Sequence, residues 1–96
     1  MLMDDGKIIF SKPFTYEGKE YTELILDLNS LKGKDLMNAT KETRALGDAP
    51  PVPELSKAYL AVVAAKAAKV PVDLILELPG KEFSKVTLVV QNFLLE

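Results

Sequence analysis

The residues that could do chemistry in this chain are its paired acids, because histidine and cysteine are both absent from its 96 residues. Without them the chain has no thiolate nucleophile, no zinc site of the usual kind and no imidazole base. Three acidic pairs are close enough in sequence to act as acid–base pairs or metal ligands: Asp4 and Asp5, Glu17 and Glu20, and Asp73 and Glu77. Catalytic carboxylates need a shared pocket that separates their pKa values. These pairs fit solvated surface charge better.

The pair Asp73 and Glu77 would share one face of a helix, because the two acids are four residues apart. Two carboxylates alone make a weak site for a divalent cation. The serines and threonines have neither a histidine nor a lysine in an SxxK pattern to serve as a base. Gly33 and Gly47 stand where helix ends are expected, not in a phosphate-binding loop. The sequence therefore predicts a protein that is not an enzyme and has no cofactor or metal site.

The composition predicts one globular domain over residues 1–96. A hydrophobic content of 48% with 27% charged residues is ordinary for such a domain. The 14 acids and 12 bases are mixed along the chain, and no basic block could bind a phosphate backbone. No uncharged stretch reaches the roughly 18 residues that span a bilayer, and the acidic start does not resemble a signal peptide. We expect a cytosolic protein that binds neither nucleic acid nor membrane.

The first part of the chain, residues 1–28, predicts an antiparallel β-hairpin. Gly18 supplies the positive φ that a short turn needs, and Tyr16 and Tyr21 beside it are predicted to form a cross-strand pair. Pro13 lacks a backbone donor, so the first strand lies at an edge or ends there. In the second strand, alternate residues point to one side: Leu24, Leu26 and Leu28. A lone hairpin is unstable in water, so this leucine face must pack on helices.

The second part, residues 33–95, predicts helices on either side of a rigid proline-rich connector at 48–53. The first helix begins between Gly33 and Asp35 and ends at Gly47. Its apolar face comprises Leu36, Ala39, Thr43 and Leu46. The fold class is therefore α+β, with an N-terminal antiparallel β-hairpin packed on a layer of three to four α-helices.

The second predicted helix, starting at Pro53, is apolar nearly all round. A helical wheel gathers one face, which comprises Tyr59, Leu60, Val63, Ala67 and Val70, while Leu55 and Val62 fall on the side of Lys66. Such a helix is either central to the core or covered by another chain. Residues 72–78 alternate like a strand between two prolines. We favour a short helical turn with Leu74, Ile75 and Leu78 inward over a third strand that joins the hairpin.

The last predicted helix runs from about residue 80 to residue 95. Its broad apolar face comprises Phe83, Val86, Val89, Val90, Phe93 and Leu94, opposite Lys81, Lys85, Gln91 and Asn92. Leu88 and Leu95 fall on the polar side, seven residues apart. The apolar face is assigned to the core, which leaves Leu88 and Leu95 for contact with another protein.

Two segments carry a resemblance to a known family. The first is "FSKPFTYEGKEYTELILDLNSLKGKDL", and the second is "VPVDLILELPGKEFSKVTLVVQNFLLE". Their most specific parts are Lys12 and Pro13, the run Lys34, Asp35 and Leu36, the pair Leu78 and Pro79, Val86, and the run from Gln91 to Leu94. In pattern and order, nearly the whole chain resembles the small tail assembly chaperones of long-tailed bacteriophages and prophages. The proline-rich connector departs from that pattern and could alter the tilt between helices.

The resemblance implies a transient partner of the tape measure protein, a long, largely helical and aggregation-prone rod. Such chaperones keep the rod soluble while tail tube subunits polymerise around it. They act in the cytoplasm of the bacterial host and are not in the mature virion. The resemblance leaves open contact with the major tail tube protein and formation of a homo-oligomer. It also implies that a ribosomal frameshift can extend the helix at 80–95.

Partner contact is expected at apolar side chains that the predicted core does not use: Leu55, Val62, Leu88 and Leu95. A helical partner requires an apolar groove or stripe with polar residues around it. The alternatives are a structural or connector component of a phage tail and a generic protein-interaction module. Either would bury helical faces in the same way, so gene order next to a tape measure gene is the simplest discriminator.

Overall fold

The computed structural model describes residues 6–95, so Asp4 and Asp5 of the acidic pairs lie outside the described residues. Its elements in chain order are β1 (Lys7–Tyr16), β2 (Lys19–Ile25), α1 (Gly33–Ala45), α2 (Lys57–Ala68), α3 (Val72–Leu76) and α4 (Gly80–Leu95). Short 3₁₀ turns lie at Leu28–Ser30 and Pro53–Leu55. The predicted α+β class, with a hairpin and a helical layer, is confirmed.

The hairpin turns tightly at Glu17 and Gly18, whose φ angles of 50° and 80° are those of a two-residue turn. This turn makes Tyr16 a partner of Lys19, and Tyr21 therefore lies opposite Phe14. The predicted pairing of the two tyrosines is wrong, because the short turn fixes a different register. Between Ile9 and Phe14 the register shifts, and β1 continues through Pro13. Because the sheet formed by the described residues has two strands, β1 is an edge strand, which confirms one of the two outcomes predicted from this proline.

The leucine face of the hairpin packs on the helices as expected. Leu24, Leu26 and Leu28 are all buried, although β2 itself ends at Ile25 and Leu28 begins a 3₁₀ turn. Gly6, which directly precedes β1, has a φ of +82°. It extends the pairing of the two strands by one hydrogen bond, because the Leu26 N–H donates to the Gly6 carbonyl at 3.1 Å. The hairpin thus supplies one apolar layer of the core.

The outer edge of β1 is partly occupied by side chains of α4, and the chain just beyond β2 is bonded to the backbone of α2. Along β1, the Ser11 N–H donates to Glu82 Oε2 at 2.9 Å and the Ile9 carbonyl accepts from Lys85 Nζ at 3.4 Å. Beyond β2, the Asp27 N–H donates to the Ala67 carbonyl of α2 at 3.1 Å. The hairpin is therefore tied to both α4 and α2 by polar contacts as well as by its leucines.

The centre of the helical layer is α2, which contacts α1, α3 and α4. Eight of its 12 residues are buried, including Ala61 and Ala64 where small side chains let neighbouring helices approach closely. Val62 is only 1% exposed. Its assignment to a partner-binding surface is wrong, because neighbours enclose α2 on the side of Val62 as well as on the face that the wheel assigned to the core.

The other helices follow the predicted faces with one exception. In α1, Ala39 and Thr43 are buried, and the Thr43 hydroxyl donates to the Ala39 carbonyl at 2.7 Å. Leu46 is exposed, contrary to its predicted inward position, because α1 has already ended at Ala45 and the chain turns away at Gly47 with a φ of +96°. The helix ends before Leu46 can reach the core.

The segment at 72–78 forms α3, a single helical turn and a half, and does not add a strand to the hairpin. Leu74, Ile75 and Leu78 are buried, as the favoured interpretation predicted. In α4, Val86 and Val90 are completely buried. The remaining members of its predicted apolar face are partly buried and pack on the core: Phe83, Val89, Phe93 and Leu94. The favoured helical interpretation of α3 and the helical periodicity of α4 are therefore both confirmed.

Candidate partner-binding groove

A shallow groove of about 370 Å³ lies between the start of α2 and the exposed side of α4. Its walls and floor are formed by Leu55, Lys57, Leu60, Ser84, Thr87, Leu88 and Gln91. Leu55 is 65% exposed on one wall and Leu88 is 55% exposed on the other, while Leu60 is buried in the floor. The groove is thus an apolar depression with polar side chains at intervals.

The position of Leu55 follows from how α2 begins. Pro53 starts the 3₁₀ turn that ends at Leu55, and the chain then becomes extended at Ser56. The Ser56 hydroxyl caps α2 by accepting from the Tyr59 N–H at 3.3 Å, and it donates to Asp48 Oδ2 at 2.9 Å. These bonds fix the direction in which α2 leaves the turn. Leu55 is left outside the helix, facing α4 across the groove.

The wall on α4 continues as a stripe along that helix. Ser84, Leu88, Gln91 and Leu95 follow one another at spacings of four, three and four residues, which places them on one side. Leu95 is 59% exposed at the end of this stripe. The stripe faces away from Val86 and Val90, so α4 buries one face in the core and presents a second, partly apolar face to solvent.

A polar bridge crosses the groove between its two helices. Lys57 Nζ at the start of α2 donates to the Thr87 hydroxyl of α4 at 3.4 Å. The Thr87 hydroxyl in turn donates to the Phe83 carbonyl at 3.1 Å. Thr87 is buried, whereas Lys57 is exposed. The bridge therefore holds α2 and α4 together beneath the groove and leaves a positive charge at its rim.

A second apolar hollow of about 230 Å³ adjoins the groove through Leu55. It is lined by the connector residues Pro50, Pro51 and Val52 together with Leu55 and Ser56. The rigid prolines present their rings and the exposed Val52 side chain beside the groove. Together the groove and the hollow make one continuous apolar surface with Leu55 at its centre.

The structure brings together two of the four residues predicted for partner contact and places a third nearby. Leu55 and Leu88 line the same groove, and Leu95 lies two helical turns beyond Leu88 on the same stripe. Val62 lies in the core and takes no part. The proline-rich hollow was missed from the sequence, although the run of prolines beside Leu55, a leucine assigned to partner contact, was a signal for it.

Glu82 is a buried acid that the sequence gave no reason to expect. It is 5% exposed, and its carboxylate accepts from the Ser11 N–H and pairs with Lys85 Nζ at 3.1 Å. The hydrogen bond from the Ser11 backbone holds the pKa of Glu82 below its usual value, although desolvation opposes the shift. The role of this carboxylate is to fasten β1 to α4, and it is remote from any cluster of acids.

Within residues 6–95, no three acids come together in a way that could hold a metal ion. Asp73 and Glu77, the acidic pair considered from the sequence, are both exposed on α3 and its C-terminal cap. In the same range no helix is both long and apolar enough to cross a membrane.

Comparison with known proteins adds no assignment. A scan against protein-family models, a search of curated proteins and a search of solved structures found no match for this chain.

Proposed function

We propose that this protein is a phage tail assembly chaperone that transiently binds the tape measure protein and keeps it soluble while the tail tube assembles. The proposal joins the sequence resemblance to the exposed apolar groove between α2 and α4. It describes a non-catalytic protein of the bacterial host cytoplasm that is not in the mature virion. Contact with the major tail tube protein and self-association remain further interactions within the proposal.

The observation that carries the proposal is the exposure of Leu55, Leu88 and Leu95 around one groove and along one stripe. A long helical rod offers apolar side chains at every turn, and a groove with small polar residues can accept many such sequences. The buried face of α4 keeps the domain folded without help from these leucines. The groove can therefore be occupied and vacated without unfolding the protein.

The expected strength of contact suits a transient partner. Fully burying a leucine is worth roughly 1.5–3 kcal/mol, and these three are already somewhat less than half buried. Covering the rest would contribute roughly 1–1.5 kcal/mol each, or about 3–4.5 kcal/mol together. Ordering of the partner and desolvation of polar groups offset part of that gain. A single helical segment would thus bind weakly, and the growing tail tube could displace the chaperone.

The test is co-expression with the tape measure protein of the same phage or prophage. The double substitution Leu55→Ser and Leu88→Ser removes apolar surface from both walls of the groove. We expect it to lower the fraction of tape measure protein that remains soluble, while the chaperone itself stays folded. A matched control replaces Met37 on α1 and Leu46 just after the end of α1 by serine, since both are exposed apolar side chains that do not line the groove.

The proposal is refuted if the groove variant solubilises the tape measure protein as well as the parent, or if both double variants fail equally. The alternative, a structural component of the tail, is tested by probing purified particles for this chain. A chaperone should be present in assembling cells and absent from finished tails, whereas a structural component should be retained in the particles.

A further inference from the structure

The exposed stripe of α4 has the spacing of a seam against which another helix packs. Its residues recur at intervals of four and three, as do the core positions of a coiled coil. Leu88 and Leu95 occupy equivalent positions seven residues apart, and Ser84 and Gln91 occupy the alternate ones. A second helix lying on this seam would meet a leucine and then a polar residue at each heptad. Leu55 would form a side wall for it.

Among the side chains that the structure describes, two lysines lie beside this seam. Lys81 lies seven residues before Leu88 on the same side of α4, and Lys57 stands at the rim of the groove. Both lysines are exposed. Lys85 is turned to the hairpin, where it pairs with Glu82 and donates to the Ile9 carbonyl. Within α4 as the structure describes it, Glu82 is the single acid, and it is buried against the hairpin. The seam therefore presents positive charge that no acid on the exposed side of α4 balances.

This charge pattern selects among possible occupants. A second copy of the chain that used the same seam would bring the same lysines and no exposed acid from α4, so like charges would face each other at a cost. A helix with acidic residues beside its apolar stripe would place carboxylates next to Lys81 and Lys57. Opposite charges beside a helical seam set both the choice of partner and its orientation.

The geometry points to an acidic amphipathic helix as the occupant of this seam and groove. The inference rests on the proposed function and names the chemical class of the segment that is bound. Leucine-like side chains of the occupant lie against Leu88 and Leu95, and its glutamates or aspartates lie against the lysines. Segments of the tape measure protein with basic flanks are bound less well, so the chaperone covers selected stretches of the rod.

The test uses two synthetic helical peptides of about four heptads. Both carry leucine at one core position and alanine at the other, which weakens pairing of the peptide with itself. One carries glutamate at the flanking positions and the other carries lysine there. Fluorescence anisotropy with the full chain is measured at about 50 mM and about 300 mM salt. We expect the acidic peptide to bind about tenfold more tightly at low salt, and the ratio to shrink at high salt.

Two variants locate the effect. Lys81→Glu, at an exposed position in the first turn of α4, should remove the preference for the acidic peptide, because it reverses one charge on the seam. Lys34→Glu is the matched control, since Lys34 is exposed in the first turn of α1 and does not line the groove. It should leave the preference unchanged. Leu88→Ser should weaken binding of both peptides.

Equal binding of the two peptides, or a preference that survives Lys81→Glu, would overturn the inference. So would a dimer in analytical ultracentrifugation that Leu88→Ser dissociates, since the seam would then bind a second copy. If the acidic peptide is not preferred, but the Leu55 and Leu88 double variant still fails to keep the tape measure protein soluble, the proposed function stands and the charge selection is wrong. If the acidic preference holds but that double variant keeps the tape measure protein soluble, the proposed function fails instead.

Discussion

Replacing Val62 by alanine measures how completely α2 is enclosed by its neighbours. The matched substitution is Leu88→Ala, because both residues are aliphatic and lie within helices, but Val62 is in the core and Leu88 is exposed. A surface that binds a partner should tolerate truncation in the free protein. A core position should not. Comparing the two substitutions therefore distinguishes a role in folding from a role in binding, at two residues that the sequence analysis assigned to partner contact.

The cost at Val62 can be worked out from its burial. Two methyl groups leave the core, which removes about 1.6 kcal/mol at about 0.8 kcal/mol per group. A residual cavity of roughly 40–50 Å³ adds about 1 kcal/mol. Alanine's better helix propensity returns roughly 0.5 kcal/mol. The free energy of unfolding should fall by about 2 kcal/mol, whereas Leu88→Ala should change it by no more than about 0.5 kcal/mol.

The assay is urea unfolding followed by circular dichroism. With a denaturant slope of about 1–2 kcal/mol per M, the midpoint of Val62→Ala should fall by roughly 1–2 M, and its melting temperature by about 8–16 °C. The urea midpoint of Leu88→Ala should equal that of the parent. The reasoning is refuted if Val62→Ala stays within about 0.5 kcal/mol of the parent, or if Leu88→Ala loses as much stability as Val62→Ala.

Three further predictions concern the framework of the fold. Because the pKa of Glu82 is lowered in the folded protein, its contribution to stability should be full above the ordinary value of 4.5 and be lost as the pH falls below it. Urea midpoints measured across this range should show the loss in the parent and a smaller one in Glu82→Gln; identical profiles would contradict the role of the Ser11 hydrogen bond. Gly6→Ala should cost roughly 1–3 kcal/mol, because φ is positive there and a Cβ would collide with the Leu26 carbonyl, and an unchanged melting temperature would exclude that clash. Ser56→Ala should cost about 1 kcal/mol through loss of the α2 cap, with Ser56→Thr as the variant that keeps the hydroxyl; equal melting temperatures for the two would argue against capping.

The elements that could be predicted from the sequence were those that local periodicity or a turn signal determines. Gly18 indicated the hairpin turn, and the leucines of β2 indicated its buried face. The choice of a helical turn over a strand for α3 was also right, and the residues assigned to its inward side, Leu74, Ile75 and Leu78, are buried. Leu88 was correctly placed outside the core, since α4 is amphipathic and has one buried side.

The predictions that failed concern burial and strand register, which depend on residues distant in the sequence. A helical wheel assigns a single core side to α2, so it could not show that helices close around Val62. The register of Tyr16 and Tyr21 depends on a turn of two residues and on an irregularity further along β1. Glu82 is buried because it meets a backbone N–H 71 residues away. The convergence of Leu55 with Leu88 depends in the same way on how α2 packs against α4.

The polar contacts along the edge of β1 bear on how this protein behaves at high concentration. An open strand edge is a template on which other chains add strands and from which cross-β stacks grow. Here the outward groups of Ser11 and Ile9 are bonded to Glu82 and Lys85, and the Asp27 N–H is bonded to the end of α2. An invading strand would first have to displace an ion pair from the sheet. These contacts therefore oppose the addition of a further strand along the first part of β1, and with it the growth of a cross-β stack from that edge.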